Sequence, residues 1–286
     1  MRTRLILAAL LLGSAAVPAN AQTAQDLIAK NLEARGGAAA IEALKGVRFQ
    51  GRILFPGDFE LTYNETREKL AGTTASRVNL GLQGLDVVQA YDGRGAWKIN
   101  PFQGRKDPER MSADEARGLA DGALIEGALL ASRSDGSRVD YLGREDFDGT
   151  LAYKLKVSQK DGDEFVYWLD PDTWLEIKTA ETRKIRGAEQ TTESELGDYE
   201  KIAGVYFPMS VESWSQGQSN QRQRVLIASG AANQPVEASF FAEPRGPGTP
   251  AKATGEPPDA SNKTQGEPKS DEPADQPKPS DAGKGK

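Results

Sequence analysis

From Val47 to Ala228, apolar residues recur at every second position in one short run after another, with Gly, Pro and Asp steps between the runs. Alternation of this kind gives each run one greasy and one polar face, as in strands half-buried in an antiparallel sheet. Val47, Phe49, Ile53 and Phe55 form the first run, and Pro56-Gly57-Asp58 turns the chain into Phe59, Leu61 and Tyr63. Val78, Leu80 and Leu82 follow, then Val87, Gln89 and Tyr91. An Asp92-Gly93 step then supplies the positive φ of a tight hairpin turn. Beyond it, Trp97 and Ile99 alternate with Ala96 and Lys98 until Pro101, which cannot donate to a ladder, ends the strand.

Strands resume at Arg138. Leu151, Tyr153, Leu155 and Val157 alternate with polar residues, and Asp161-Gly162 turns the chain into Phe165, Tyr167 and Leu169. Asp170-Pro171-Asp172-Thr173 makes the next turn, before Trp174, Leu175 and Ile177. Polar strands span 179–201, then come Val205, Phe207 and Val211, and last 225–228. The pattern predicts roughly ten strands with short links and no βαβ unit, in a sandwich or a barrel. Arg48, Arg52 and Arg77 alternate with or precede apolar residues and are expected to point outward or to a rim.

Helical spacing appears in three places. Thr23 caps a helix over 23–35, with Asp26 three residues on, Leu27, Ile28 and Leu32 on one face, and Gly36-Gly37 as its stop. A second short helix over 38–45 carries Ile41 and Leu44 and ends at Gly46. The one long interruption between strands is a polar stretch through Pro108, followed by Ser112-Ala113-Asp114-Glu115, a capping box. The single helix it opens runs to about 131 and holds Leu119 and Leu124, but also Gly118, Gly122 and Gly127, each costing about 1 kcal/mol against Ala. It reads equally as a movable cover or as a surface helix packed permanently on the sheet.

The ends of the chain differ from its middle. Arg2 and Arg4 precede an apolar run from Leu5 to Leu12 and a small-x-small site at Ala19-Asn20-Ala21, the form of a secretory signal peptide cleaved after Ala21. Gln22, not Cys, follows that site, so no lipid anchor is expected there, and no later stretch is apolar enough to span a bilayer. From Pro244 to Lys286 there is no Val, Ile, Leu, Met or aromatic residue, while 9 of the 16 prolines lie there, so residues 246–286 are expected to be a disordered tail. The folded domain is expected over 22–245.

Without Arg2 and Arg4 the chain carries 34 basic and 42 acidic residues, a balance that argues against nucleic acid and anionic membrane surfaces as partners. It has no His and no Cys, which removes Ser-His, Cys-His and ordinary zinc chemistry. No nucleophile-elbow, phosphate-loop or dinucleotide string occurs. The acidic groups at Glu145-Asp146-Phe147-Asp148 and at Asp161, Asp163 and Glu164 sit beside Gly and read as turns; a carboxylate-based hydrolase would rest on them alone. No catalytic residue, metal or cofactor is expected.

Several short stretches, in order, resemble one family. Tyr91-Asp92-Gly93 through Trp97, then Asn100-Pro101-Phe102, is similar to a hairpin of the LolA/LolB-like periplasmic lipoprotein carriers and their outer-membrane lipoprotein-sorting relatives. Asp170 with Thr173, Trp174 and Leu175, Asp198-Tyr199 with Gly204-Val205-Tyr206-Phe207-Pro208, and Phe240-Phe241 with Pro244 resemble further stretches of it. One departure stands out: Lys69-Leu70-Ala71-Gly72-Thr73-Thr74 occupies the place of an Arg-Pro step whose Arg contacts the lid in the carriers.

The resemblance implies an α+β fold, an incomplete (half) antiparallel β-barrel with helices covering its concave face. It implies a soluble, monomeric periplasmic carrier or chaperone, not an enzyme, that binds acyl chains of a lipoprotein or another lipid for sorting to an outer-membrane acceptor. The apolar side chains expected to line the cavity are Ile53, Phe55, Leu61, Tyr63, Val78, Leu80, Leu82, Trp97, Ile99, Leu119, Leu124, Leu155 and Tyr167. The alternative on the same fold is a non-transporting module that senses or scaffolds envelope proteins, which the missing Arg-Pro step and the long tail would suit.

Overall fold

The computed structural model describes residues 22–57 and 59–244. The chain divides into two units, Met1–Gly246 and Pro247–Lys286, and the described residues all fall in the first. The expected leader over 1–21 and the expected tail over 246–286 lie outside the described residues.

Four α-helices, two short 3-10 turns and thirteen strands are present among those residues. Helices α1 (Ala24–Ala34) and α2 (Ala38–Ala43) precede strands β1 (Gly46–Phe55), β2 (Phe59–Leu70), β3 (Thr73–Leu82), β4 (Leu85–Tyr91), β5 (Ala96–Asn100) and β6 (Arg105–Arg110). Helices α3 (Ala113–Gly122) and α4 (Gly127–Ala131) interrupt the strands. Then follow β7 (Arg138–Phe147), β8 (Thr150–Ser158), β9 (Glu164–Leu169), β10 (Glu176–Ile185), β11 (Ala188–Ile202), β12 (Val205–Ser215) and β13 (Gln223–Ala232).

All thirteen strands form one antiparallel sheet that does not close, the form of an open barrel rather than two stacked sheets. Its order is a meander on each side of one long-range pair, β1 with β13. The free edges are β6 and β7, and α3 and α4 are the chain between them.

Three expectations are corrected. The strands number thirteen, not roughly ten. The polar stretch before Ser112 contains β6, which pairs with β5 even though Pro108 lies within it; as an edge strand it can turn that missing donor outward. The single helix expected up to 131 is two, because Gly127 sits at φ +74 and the chain leaves the helix over Ala123–Glu126.

Local chemistry accounts for the helix starts. Thr23 Oγ1 accepts the Asp26 N–H at 3.2 Å while Asp26 accepts the Thr23 N–H at 3.0 Å. Ser112 and Glu115 repeat that reciprocal pair at the start of α3. At the other end of α1, Gly36 at φ +121 lies so close to the Gly204 carbonyl that a Cβ would stand 2.3 Å from its oxygen. That contact seats α1 on the β11–β12 turn, where the Tyr206 N–H donates to the Arg35 carbonyl at 2.8 Å.

The main core joins Leu27, Ile28 and Leu32 of α1, Ile41 of α2 and Leu129 and Leu130 of α4 to apolar side chains from distant strands. Phe49 of β1, Leu155 and Val157 of β8, Phe165 of β9 and Phe207 of β12 all belong to it. Each such side chain contributes roughly 1.5–3 kcal/mol of burial, so the helices are integral to the fold.

Candidate functional site

Residues directly opposite in an antiparallel pair share a face of the sheet. Phe49, Glu65, Val78, Gln89 and Lys98 therefore form one line across β1–β5, and Arg48, Thr66, Arg77, Ala90 and Trp97 form a line on the other side. The first face continues through β13 and β12, where Gly51 opposes Ile227 and Val225 opposes both Ile53 and Val211.

On that first face lies a cavity of about 240 Å³. Phe49, Tyr63, Glu65 and Arg67 form its wall on β1 and β2, and Phe207, Pro208, Val211, Val225 and Ile227 its wall on β12 and β13. Over it lie Arg35, from the end of α1, Leu124 and Ile125, from the non-helical link between α3 and α4, and Gly127, the first residue of α4. The wall is apolar except for one group. Glu65, 7% exposed, accepts from Arg67 Nε at 2.8 Å, from Arg67 Nη2 at 3.1 Å and from the Tyr63 hydroxyl at 2.9 Å. Burial opposes the Arg67 charge, but Glu65 outweighs it and holds the guanidinium protonated more firmly than usual. Burial, with Glu65 adding to it, pushes the Tyr63 hydroxyl well above its ordinary value.

The link over the cavity is anchored by the buried side chains of Ala123 and Ile125, and a few polar groups add to that. Arg35 Nη1 donates to the Glu126 carbonyl at 3.1 Å and pairs with Glu176 at 3.8 Å. Lys69 pairs with the Glu126 carboxylate at 3.5 Å. The stretch lacking the Arg-Pro step thus still sends a cation to this link.

Helix α3 is fastened on both sides. Ser76 of β3 donates to the Leu119 carbonyl at 3.0 Å. On the other side, Arg183 of β10 pairs with Asp121 of α3, and Arg117 of α3 donates to the Lys184 carbonyl at 2.9 Å. Asp163 joins these two arginines, at 3.3 Å from Arg117 Nε and 3.0 Å from Arg183 Nη1, and is 1% exposed. Asp163 is therefore a buried ionic centre, not a plain turn residue, whereas Asp161 does make the turn by accepting the Asp163 N–H. The Glu145–Asp148 group also keeps a turn role, Asp146 accepting the Gly149 N–H.

Of the side chains expected to line a cavity, Tyr63 and Leu124 do so. Ile53, Phe55, Leu61, Val78, Leu80 and Leu82 share its face of the sheet but lie outside its lining. Leu155 is buried in the helix-packed core with Tyr167 against it, and Leu119 lies on α3 with its carbonyl bonded to Ser76. Trp97 and Ile99 stand on the opposite face, in a second small core with Val88 and Ala90. Their greasy alternation was real, but it belongs to a strand with apolar residues packed on its other side.

Alternation alone does not mark Phe49, Phe207, Val211, Val225 and Ile227 as lining residues, and the cavity wall also holds Glu65 and Arg67. A signal for the last two existed. Phe59, Leu61, Tyr63, Glu65 and Arg67 occupy successive odd positions of one strand, so the two charges continue an apolar face.

Solved structures share this architecture. The chain is similar to a LolA superfamily protein from Nitrosomonas europaea at 17% identity and TM-score 0.51, over 78% of this chain and 98% of that one. It is similar to an outer membrane lipoprotein-sorting protein domain from Vibrio parahaemolyticus at 14% identity and TM-score 0.54, over 76% and 97%. A DUF1329 family protein from Desulfovibrio piger matches at 10% identity and TM-score 0.50, over 78% and 98%. No family model and no curated protein matches the chain. At these identities the likeness is one of fold, and that fold is the one seen in LolA superfamily proteins.

Proposed function

We propose that this protein is an exported carrier that holds an acyl chain of a lipoprotein or another lipid in the cavity between the sheet and the α3–α4 link. The observation that carries this reading is a mostly apolar cavity with one internally paired Glu65–Arg67 group in its lining, walled by four strands and covered by a short non-helical segment. In this reading the helices cover the concave face of the open barrel. Support comes from α3 being bonded to β3 through Ser76 and to β10 through Arg183, strands far apart in the sheet order.

Magnitudes shape the mechanism. Each buried methylene is worth about 0.8 kcal/mol, so a chain of on the order of 16 carbons contributes roughly 12 kcal/mol. An apolar void of about 150 Å³ takes up benzene, whereas whole small-molecule sites run from about 300 Å³ upward. At about 240 Å³ the cavity accepts part of a chain as it stands. Full entry requires the Ala123–Glu126 link to move, and release follows when it returns or a better acceptor competes. The departure from the carriers at Lys69–Thr74 makes the Lys69–Glu126 contact the local tie on that link.

Native mass spectrometry of the gently purified protein, with solvent extraction of what it retains, tests the reading. Added mass that extracts as an acyl lipid is the expected result. A bare mass, together with no uptake of a fluorescent acyl ester, would remove the carrier function and leave the fold.

A further inference from the structure

Arg67 stands in the cavity wall with one edge engaged and the other free. Its Nε and Nη2 both donate to Glu65, and among the described residues Nη1 donates to none. A guanidinium carries five N–H donors in a fixed fork, and the Arg67 side chain is 26% exposed, so its free edge is open to an incoming acceptor that displaces water. Glu65 is in turn completed by the Tyr63 hydroxyl, so the pair is locked in orientation and its free side is a fixed donor. The Phe49 ring centroid lies 5.8 Å from the guanidinium carbon.

The charges at the cavity are already matched. Arg67 is balanced by Glu65 and Arg35 by Glu176. Glu181 of β10 lies close enough to act on Arg67 as well. An incoming carboxylate would therefore add an unbalanced negative charge to a low-dielectric site, while a neutral carbonyl would not. We propose, resting on the carrier reading above, that Arg67 Nη1 recognises the neutral carbonyl oxygen of an ester- or amide-linked acyl chain, and that the cavity selects such chains over free fatty acids. Aliphatic carbons lie against Phe49, Phe207 and Val225, and the carbonyl marks the depth to which the chain enters.

Binding of three probes of equal chain length separates the possibilities: methyl palmitate, palmitate and hexadecane, each measured by displacement of a fluorescent acyl ester at pH 7. The ester is expected to bind about tenfold more tightly than the alkane, the gain of one directed hydrogen bond, and more tightly than the carboxylate. Arg67→Met leaves Glu65 unpaired, so the double variant Glu65→Leu/Arg67→Met, which removes both charges together, is measured beside it. The double variant is expected to bind alkane as the unaltered protein does and to lose the preference for the ester. Equal binding of ester and alkane, or tighter binding of palmitate, overturns the selection and leaves the carrier reading intact. Failure of all three probes to bind overturns both.

Discussion

Trp97 donates its indole N–H to the carbonyl of Phe241 at 2.8 Å, across 144 residues of chain and on the face of the sheet away from the cavity. Arg77 reinforces the junction. Its guanidinium lies 4.6 Å from the Phe240 ring and 5.6 Å from that of Trp97, and it donates to the Phe240 carbonyl at 2.8 Å. The aromatic pair near the end of the described chain is thus a clasp over β3–β5. Trp97 ties the end of the described chain to the sheet on the face away from the cavity.

Trp97→Phe keeps a ring in place and removes the donor, leaving the Phe241 carbonyl unmet. A loss of about 1–3 kcal/mol is expected from urea unfolding. Uptake of acyl ester should not change. A variant of full stability with impaired uptake would contradict the placement of Trp97.

Asp163 is the centre of the tie between α3 and β10. Asp163→Ala leaves Arg117 and Arg183 with fewer partners in a buried setting, although Asp121 and Glu181 still face Arg183. A loss of about 3 kcal/mol is expected. Amide hydrogen exchange should quicken along α3 before it does along α1, and equal quickening in both helices would show that Asp163 supports the whole core instead.

Lys69→Met removes the cation from the Glu126 carboxylate. Both groups are about a quarter exposed, so the pair is worth at most about 1 kcal/mol. Release of bound acyl ester should accelerate by up to about fivefold, with little change in melting temperature. An unchanged release rate would show that the Lys69–Glu126 pair does not hold the link.

Acid acts in opposite directions on two kinds of carboxylate. Asp26 and Glu115 accept backbone and hydroxyl bonds from Thr23 and Ser112, which hold them below the ordinary carboxylate range. Their support for α1 and α3 is present above that range and is lost as pH falls through it. Burial pushes Asp121 up, with Arg183 opposing, so the folded state holds its proton more tightly and its contribution declines as pH rises through the raised value. Carbon-detected carboxyl titration should find Asp26 ionising before Asp121 as pH rises, and Glu115 ionising below the ordinary glutamate range. The reverse order would refute the assignment.

Tyr63, Tyr167 and Tyr199 are all pushed up, by burial first and by nearby carboxylates second. The folded state holds these protons, so stability falls as pH rises toward their raised values. In an alkaline absorbance titration these three should ionise only as the protein unfolds. Ionisation of Tyr63 in the folded state would mean that water enters the cavity freely.

How much of this was written in the sequence depends on the range of the interaction. The caps of α1 and α3, the Asp92-Gly93 turn and the end of β5 at Pro101 need residues no more than a few positions apart, and each can be read locally. The Gly93 backbone at φ +92 and the Asp92 carboxylate accepting the Arg94 and Gly95 N–H groups at 2.9 Å show the same economy. The strand β6 could not be read in this way, because Arg105–Arg110 has no apolar period and exists as a strand only by pairing with β5.

Alternation established that each strand has two faces, and by itself it says no more than that. Which face looks on the cavity follows from the pairing of β1 with β13, set by contacts such as Val47 opposite Ala232 between the two ends of the fold. With that pairing in place, Phe49 and Tyr63 stand on the cavity side and Trp97 on the other, although all three sit in alternating apolar runs. It also gathers Asp121, Asp163 and Arg183 from three separate elements into one buried cluster. Period is a property of neighbouring residues, whereas sidedness and charge pairing are properties of the folded surface, and only the tertiary structure could decide them.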